Sequence, residues 1–120
     1  GSGRNHAVSQ VISEWADDNP TEAGTYLGSM AEGTERDYAV SAYSRRVVGE
    51  EPATAMEWAM SISSGEIRDR AVVRTAREWM RRDVTAANSW LESSDLPAAV
   101  VEEVRKPQEG DRGRGGYHDR

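Results

Sequence analysis

The sequence contains no cysteine, which excludes disulfide bonds, thiol catalysis and thiolate metal sites. It has no run of about eighteen consecutive apolar residues, so it predicts no transmembrane helix. Lysine is almost absent, because Lys106 is the only one. Histidine is scarce as well: His6 and His118 lie far apart and form no His-x-x-x-His pair, so we predict no metal site.

Catalytic patterns are also missing from this chain of 120 residues, a length typical of one domain. No Gly-rich phosphate loop, Gly-x-Ser-x-Gly elbow or Ser-x-x-Lys pattern occurs. Paired acids such as Asp17-Asp18 and Glu50-Glu51 fall in predicted turns, where they are typical of helix ends rather than of an acid–base couple. We therefore predict neither an enzyme nor a cofactor site.

The charge of the chain is negative, with 21 Asp and Glu residues against 15 Lys and Arg residues and a net charge of −6. This balance argues against nucleic-acid binding by the fold as a whole, because DNA and RNA carry a dense negative charge. Acidic surfaces also keep small domains in solution. We expect a well-hydrated, monomeric domain without a membrane partner.

The chain repeats itself with a period of 32 residues, without gaps, from residue 4 to residue 94. Five positions are identical in all three copies, and chance rarely produces such a register. The identical positions are Arg4, Arg36 and Arg68; Ala7, Ala39 and Ala71; Val8, Val40 and Val72; Ala23, Ala55 and Ala87; and Ser29, Ser61 and Ser93. We therefore treat the repeat as real.

Each copy has the periodicity of two amphipathic helices. In the first copy, the apolar residues of both helices recur at spacings of three and four, which places them on one face of each helix. These residues are Val8, Val11, Ile12 and Trp15 in the first helix, and Ala23, Tyr26, Leu27 and Met30 in the second. One such hairpin cannot bury its own apolar face, so the copies must stack.

Polar residues predict where the helices begin. Asn19 and Asp83 can each cap the second helix of its copy with a side-chain oxygen. Asp37 and Asp69 are the corresponding candidates for the first helices of the second and third copies.

A last helix is predicted after Pro97, with Val100, Val101 and Val104 covering the exposed end of the third copy. The sequence thus predicts an all-α fold, a short α-solenoid of three 32-residue helix-turn-helix repeats closed by a C-terminal capping helix. The predicted boundaries are a tag remnant at 1–3, a single domain at 4–106 with repeats at 4–35, 36–67 and 68–96 and the capping helix at 97–106, and a disordered tail or linker at 107–120.

The turn of the first copy follows the pattern Trp-x-x-x-(Asp/Asn)-Pro-x-x-Ala-x-x-(Trp/Tyr). The matching residues are Trp15, Asn19, Pro20, Ala23 and Tyr26. The second copy has Val47 in place of the first aromatic residue, and the third has Val84 in place of the proline. The chain resembles the bacterial tandem helical-hairpin repeats marked by this pattern, and is more loosely similar to tetratricopeptide and HEAT arrays. The resemblance implies a protein-binding scaffold and no catalytic residue.

The aromatic residues of the repeats are predicted to pack in the core rather than to stack on a ligand. They occupy equivalent positions on apolar stripes, where each copy needs a large side chain. The two sets of equivalent positions are Trp15, Val47 and Trp79, and Tyr26, Trp58 and Trp90.

Arginines spaced four, three and four residues apart share one face of the fifth predicted helix, and stacking places Arg45 beside Arg77. Two interpretations remain open. The first is a solvated face neutralised by acids such as Asp69 and Glu78. The second is an anchor for an acidic peptide, whose carboxylates guanidinium groups bind at two points. The predicted partner-binding residues are Arg45, Arg46, Arg70, Arg74, Arg77 and Arg81.

The tail from residue 107 to residue 120 is polar and rich in glycine, and it has too few apolar residues to order itself. We expect a linker there. Its "RGRGG" stretch is also typical of segments that bind RNA weakly, and a ligand tail centred on Tyr117 and His118 is a third interpretation.

The function that the sequence favours is non-catalytic binding of a protein or an acidic peptide by a helical-repeat scaffold. One alternative is a structural spacer or a fragment of a longer repeat array. Another is weak nucleic-acid binding through the arginine face and the Arg/Gly tail. The compartment and the identity of the partner stay open.

Overall fold

The computed structural model describes residues 2–107, so the predicted tail lies outside the described residues except for Pro107. Within this range the chain is all-helical, with seven helices and no strand. The helices are α1 (Ser2–Asp18), α2 (Pro20–Ser29), α3 (Thr34–Val47), α4 (Pro52–Met60), α5 (Gly65–Arg82), α6 (Val84–Ser93) and α7 (Ala98–Arg105). None of them combines the length and apolar character that a membrane span requires.

The helices form a row with a second set of helices attached to it. Helix α1 packs on α3, α3 on α5, and α5 on α7. Helices α2, α4 and α6 each pack on the helix that precedes them in the chain, and α2 and α4 also contact the next helix of the row. The resulting molecule is compact and measures 49 × 30 × 27 Å.

Side-chain caps begin α2 and α6, as the sequence predicts. The Asn19 Oδ1 atom accepts a hydrogen bond of 3.1 Å from the backbone N–H of Glu22. Asp83 Oδ1 accepts a bond of the same length from Ala86. Each cap satisfies one of the N–H groups that the first turn of a helix leaves free.

The prediction that Asp37 and Asp69 cap α3 and α5 is wrong, because both helices begin earlier. Helix α3 begins after Gly33, and α5 begins after Ser64, whose hydroxyl accepts a 3.3 Å hydrogen bond from Ile67 N–H. Asp37 is instead buried in α3, with 2% of its surface exposed. Asp69 lies inside α5 near Arg68, with its carboxylate 3.8 Å from the Arg68 Nε atom.

The Asp37 carboxylate holds the turn between α4 and α5. It accepts hydrogen bonds of 3.0 Å from the backbone N–H groups of both Ser63 and Ser64, and further bonds from the Ser63 hydroxyl. A buried carboxylate is tolerated only where donors of this kind replace water. A residue of α3 thereby fixes the position at which α5 begins.

The core lies where the row meets the second set of helices. Small and branched residues of every helix contribute to it. The buried apolar residues include Ile12 and Ala16 (α1), Ala23 and Leu27 (α2), Ala39, Val40 and Tyr43 (α3), Ala55, Met56 and Ala59 (α4), Ala71, Val72, Ala76 and Trp79 (α5), Ala87 and Leu91 (α6), and Val100 and Val104 (α7). Val100 and Val104 therefore pack on the body of the protein as predicted, whereas Val101, the third predicted valine, is only partly buried and is not part of this core.

An aromatic pair joins the two helices of each hairpin. Ring centroids are 5.4 Å apart for Trp15 and Tyr26, and 6.0 Å apart for Trp79 and Trp90. In the second hairpin, Tyr43 pairs with Trp58 at 5.5 Å. The repeat places Val47 at the position equivalent to Trp15 and Trp79, but the aromatic ring of this hairpin comes from Tyr43, one turn earlier in α3.

Tyr26 corrects the prediction that all these aromatic residues are core, because 46% of its surface is exposed. It borders an apolar groove together with Trp15 and other residues of α1. Among the described residues, this groove is lined by α1 and α2 alone. We call this surface the N-terminal apolar face, defined by Ala7, Val8, Val11, Trp15 and Tyr26.

Candidate binding surface

Within residues 2–107, three adjoining grooves follow the row of helices. The first groove, between α1 and α3, has a volume of about 580 Å³. The second, between α3 and α5, and the third, between α5 and α7, have volumes of about 220 and 570 Å³. Arg45 borders both the first and the second groove, and Arg74 and Arg81 border both the second and the third. The grooves therefore form one continuous surface.

The first groove is lined mainly by neutral polar side chains. They come from the outward face of α1 and the adjoining edge of α3. The lining residues are Asn5, His6, Ser9, Gln10, Ser13, Tyr38, Ala42 and Arg45. The Ser9 hydroxyl donates a 3.3 Å hydrogen bond to the Tyr38 carbonyl, which ties the two helices together beneath the groove.

The predicted arginines lie on this surface, with one exception. Arg45, Arg70, Arg74, Arg77 and Arg81 border the second or third groove. The exception is Arg46, which turns toward α1 and forms an ion pair with Asp17. Arg82, which was not among the predicted residues, borders the second groove.

Arg77 links α5 to α7. One of its terminal nitrogens donates a 2.6 Å hydrogen bond to the backbone carbonyl of Glu103 and lies 3.7 Å from the Glu103 carboxylate. Only 22% of its side chain is exposed. Arg77 therefore contributes to the packing of the last helix as well as to the charge of the third groove.

Arg81 and Arg82 share one counter-ion, the carboxylate of Glu78. The Arg82 Nε atom donates to it at 2.8 Å, and Arg81 bonds its other oxygen. These two hydrogen bonds lower the pKa of Glu78 from its ordinary value, although partial burial opposes them. The charges of these arginines are therefore partly compensated within α5.

Arg74 is half-buried between α3 and α5. It donates hydrogen bonds of 2.7 and 3.2 Å to the hydroxyl and carbonyl oxygens of Ser41. Burial, followed by repulsion from Arg45 and Arg70, lowers the pKa of its guanidinium group. Its Nε atom is buried without a hydrogen-bond partner in the part of the chain that the structure describes.

Two arginines of this surface have no ion-pair partner among the described residues. Neither Arg45 nor Arg74 forms an ion pair with any residue between 2 and 107. Arg70 lies 3.9 Å from Glu66, but both side chains are largely exposed, so this pair is weak. A cationic cluster of Arg45, Arg70 and Arg74 therefore lies on a protein whose net charge is −6.

Only one of the two histidines belongs to the part of the chain that the structure describes. His6 is exposed at the first groove, and His118 lies outside the described residues. No group of three or more His, Asp or Glu side chains within residues 2–107 is placed to hold a metal ion.

Sequence reasoning missed two residues that shape this surface. Ser41 accepts from Arg74, which lies 33 residues later, one more than the period of the repeat. That offset is a usable signal, because neighbouring helices of a row bring nearly equivalent positions together. Glu103 had no comparable signal, since only its place beside the buried Val100 and Val104 directs it toward α5.

Comparisons with protein-family models, curated proteins and solved structures found no match to this chain. The resemblance to bacterial helical-hairpin repeats therefore stays a prediction.

Proposed function

We propose that the protein is a non-catalytic scaffold that binds an acidic segment of another protein along the three grooves. In this proposal the helices form a short α-solenoid, with repeats over 4–35, 36–67 and 68–96 and α7 as its cap. The row α1–α3–α5–α7 and the aromatic pair in each hairpin support the repeat organisation. Stacked hairpins of this kind create extended binding surfaces.

The observation that carries the proposal is the uncompensated charge of Arg45 and Arg74. A folded protein of net charge −6 offers many carboxylates, yet none between residues 2 and 107 pairs with these two side chains. Guanidinium groups bind carboxylates through two parallel hydrogen bonds, which gives both affinity and orientation. An incoming acidic segment would supply the missing counter-ions.

Binding can be tested with fluorescent nine-residue peptide libraries, one enriched in Asp and Glu and one in Asn and Gln. We expect only the acidic library to bind, and Arg45→Glu to weaken it roughly tenfold, the loss typical of a charged hydrogen bond. The matched control is Arg105→Glu, because Arg105 is also exposed and forms no ion pair within residues 2–107. Fluorescence anisotropy gives the affinities, and circular dichroism checks the fold of both variants.

Arg77→Glu is a poor probe for this purpose, because Arg77 also holds α7 through the Glu103 carbonyl. Equal affinity of the wild type and Arg45→Glu for the acidic library would contradict the proposal, as would equal binding of both libraries.

A structural spacer is the second candidate, and the N-terminal apolar face favours it. Val11 is 59% exposed there, beside the half-buried Trp15. A contiguous exposed apolar surface is typical of a packing interface. The same titration separates the two candidates, since a spacer that only stacks on other helices binds neither library.

A further inference from the structure

The second and third grooves share Arg74 and Arg81, and Arg74 lies between an arginine of α3 and an arginine of α5. Arg45 extends from α3, and Arg70 and Arg74 lie one turn apart on α5. Arg74 borders both grooves, with Arg45 in one and Arg70 in the other. Three positive charges therefore lie next to one another. No carboxylate among residues 2–107 forms an ion pair with Arg45 or Arg74.

We propose that Arg45, Arg70 and Arg74 form a subsite for the phosphate group of a phosphorylated serine or threonine in the bound segment. The inference rests on the proposed function and names the chemistry that its central subsite recognises. The phosphate lies over the Arg74 guanidinium, between the other two arginines.

Charge and hydrogen bonding favour a phosphate over a carboxylate at this point. One carboxylate carries a single negative charge and cannot balance both Arg45 and Arg74, while Arg70 has only its weak pair with Glu66. A phosphate monoester carries nearly two charges at neutral pH and three acceptor oxygens, one for each guanidinium group. Arg74 is also held in place from behind by its bonds to Ser41, so its remaining donors are ordered before a ligand arrives.

The ligand is a segment of protein rather than free phosphate because the surface continues beyond the arginines. From Arg45 the first groove runs between α1 and α3, lined by neutral donors and acceptors such as Asn5 and Gln10. Among residues 2–107, no carboxylate borders that groove. Side chains of this kind hydrogen-bond the backbone of an extended peptide, which free phosphate lacks.

Three nine-residue peptide libraries with a fixed central residue test the inference: phosphoserine, glutamate and serine. At pH 7.5 we expect the phosphoserine library to bind about tenfold more tightly than the glutamate library, because charged hydrogen bonds to phosphate are stronger and more numerous. At pH 5 the preference should shrink, since the second phosphate pKa is about 6. Arg45→Gln and Arg70→Gln should each remove the preference, whereas Arg105→Gln should keep it.

The possible outcomes separate this inference from the proposed function. Equal binding of the phosphoserine and glutamate libraries would overturn the phosphate subsite and leave acidic-segment binding intact. Failure of both libraries would overturn both. Inorganic phosphate is the last ligand to be measured. If it binds as tightly as the phosphoserine library, the proposal that the ligand is a protein segment is wrong. Circular dichroism of each glutamine variant guards against loss of fold, and both substituted arginines are exposed.

Discussion

At the scale of single residues, the two glycines of α2 show how a neighbour reverses the effect of the same substitution. Among the described residues, a β-carbon at Gly28 would have no heavy atom within 4 Å beyond its own helix and chain neighbours. A β-carbon at Gly24 would lie 2.8 Å from the Tyr43 hydroxyl, which donates a 2.7 Å hydrogen bond to the Pro20 carbonyl. Gly24 therefore allows Tyr43 to reach across to α2.

We predict that Gly28→Ala raises the free energy of unfolding by about 0.5–1 kcal/mol, the usual gain of alanine over glycine inside a helix. Gly24→Ala gains the same propensity but forces the Tyr43 ring away from Pro20, so we expect a net loss of about 1–2 kcal/mol. Urea denaturation of both variants measures the difference.

Tyr43→Phe provides the control for this pair. It removes the nearest atom that a new β-carbon would meet and leaves the ring carbon Cζ at 3.3 Å, at the cost of one hydrogen bond. In that background Gly24→Ala should cost less than it does in the wild type. Additive losses in the double variant would show that the Tyr43 hydroxyl is not what Gly24 accommodates.

At the scale of helices, much of the pattern followed from the sequence. The caps at Asn19 and Asp83 were predictable because each is a local contact within one turn of backbone. Asp37 was not, because its donors at Ser63 and Ser64 belong to a different turn. Its equivalent in the next copy, Asp69, accepts no such bonds within residues 2–107: the N–H of Leu96 donates to the Ser94 hydroxyl instead, and Asp95 stands where Ser63 supplies a hydroxyl to Asp37. Equal spacing in sequence therefore did not produce equal contacts.

The arginine face shows the same limit. Helical spacing alone placed Arg70, Arg74, Arg77 and Arg81 together, and the grooves contain all of them. Which arginines are compensated depends on partners in other helices, such as Glu103 for Arg77 and Asp17 for Arg46. Period and composition do not encode those pairings.

The two ion pairs that Glu78 forms with Arg81 and Arg82 make the stability of α5 depend on pH. The pKa of Glu78 is lowered in the folded protein. The stabilisation that its ion pairs provide is therefore present above the ordinary pKa of 4.5 and is lost as the pH falls through the lowered pKa. We predict that Glu78→Gln reduces the free energy of unfolding at pH 7 by less than about 1 kcal/mol, since solvent screens the pair. The difference from the wild type should shrink as the pH falls through the lowered pKa, so it should be smaller at pH 3 than at pH 7.

Urea titrations at both pH values test this, with Glu66→Gln as the control. Glu66 lies 3.9 Å from Arg70 in a largely exposed pair, so its removal should change little at either pH. A Glu78→Gln effect that persisted unchanged at pH 3 would rule out the ionised carboxylate as its origin.

At the scale of the whole molecule, burial is greatest in the middle of the row. Helix α3 has α1 on one side and α5 on the other, and α4 attached to it. Val40 of α3 is fully buried, whereas the equivalent Val8 of α1 is only partly buried. The sequence could not show this difference, because the two valines are identical members of the repeat.

We therefore predict that Val40→Ala lowers the free energy of unfolding by about 1.5–3 kcal/mol, the value of a fully buried valine side chain. Val8→Ala should cost less than half as much. In amide hydrogen exchange, α3 should be the best protected helix, because it opens only when both neighbours are displaced, while α1 can open alone. Equal losses from the two substitutions, with equal protection of α1 and α3, would mean that α1 is as enclosed as α3. Its apolar face would then be covered in solution.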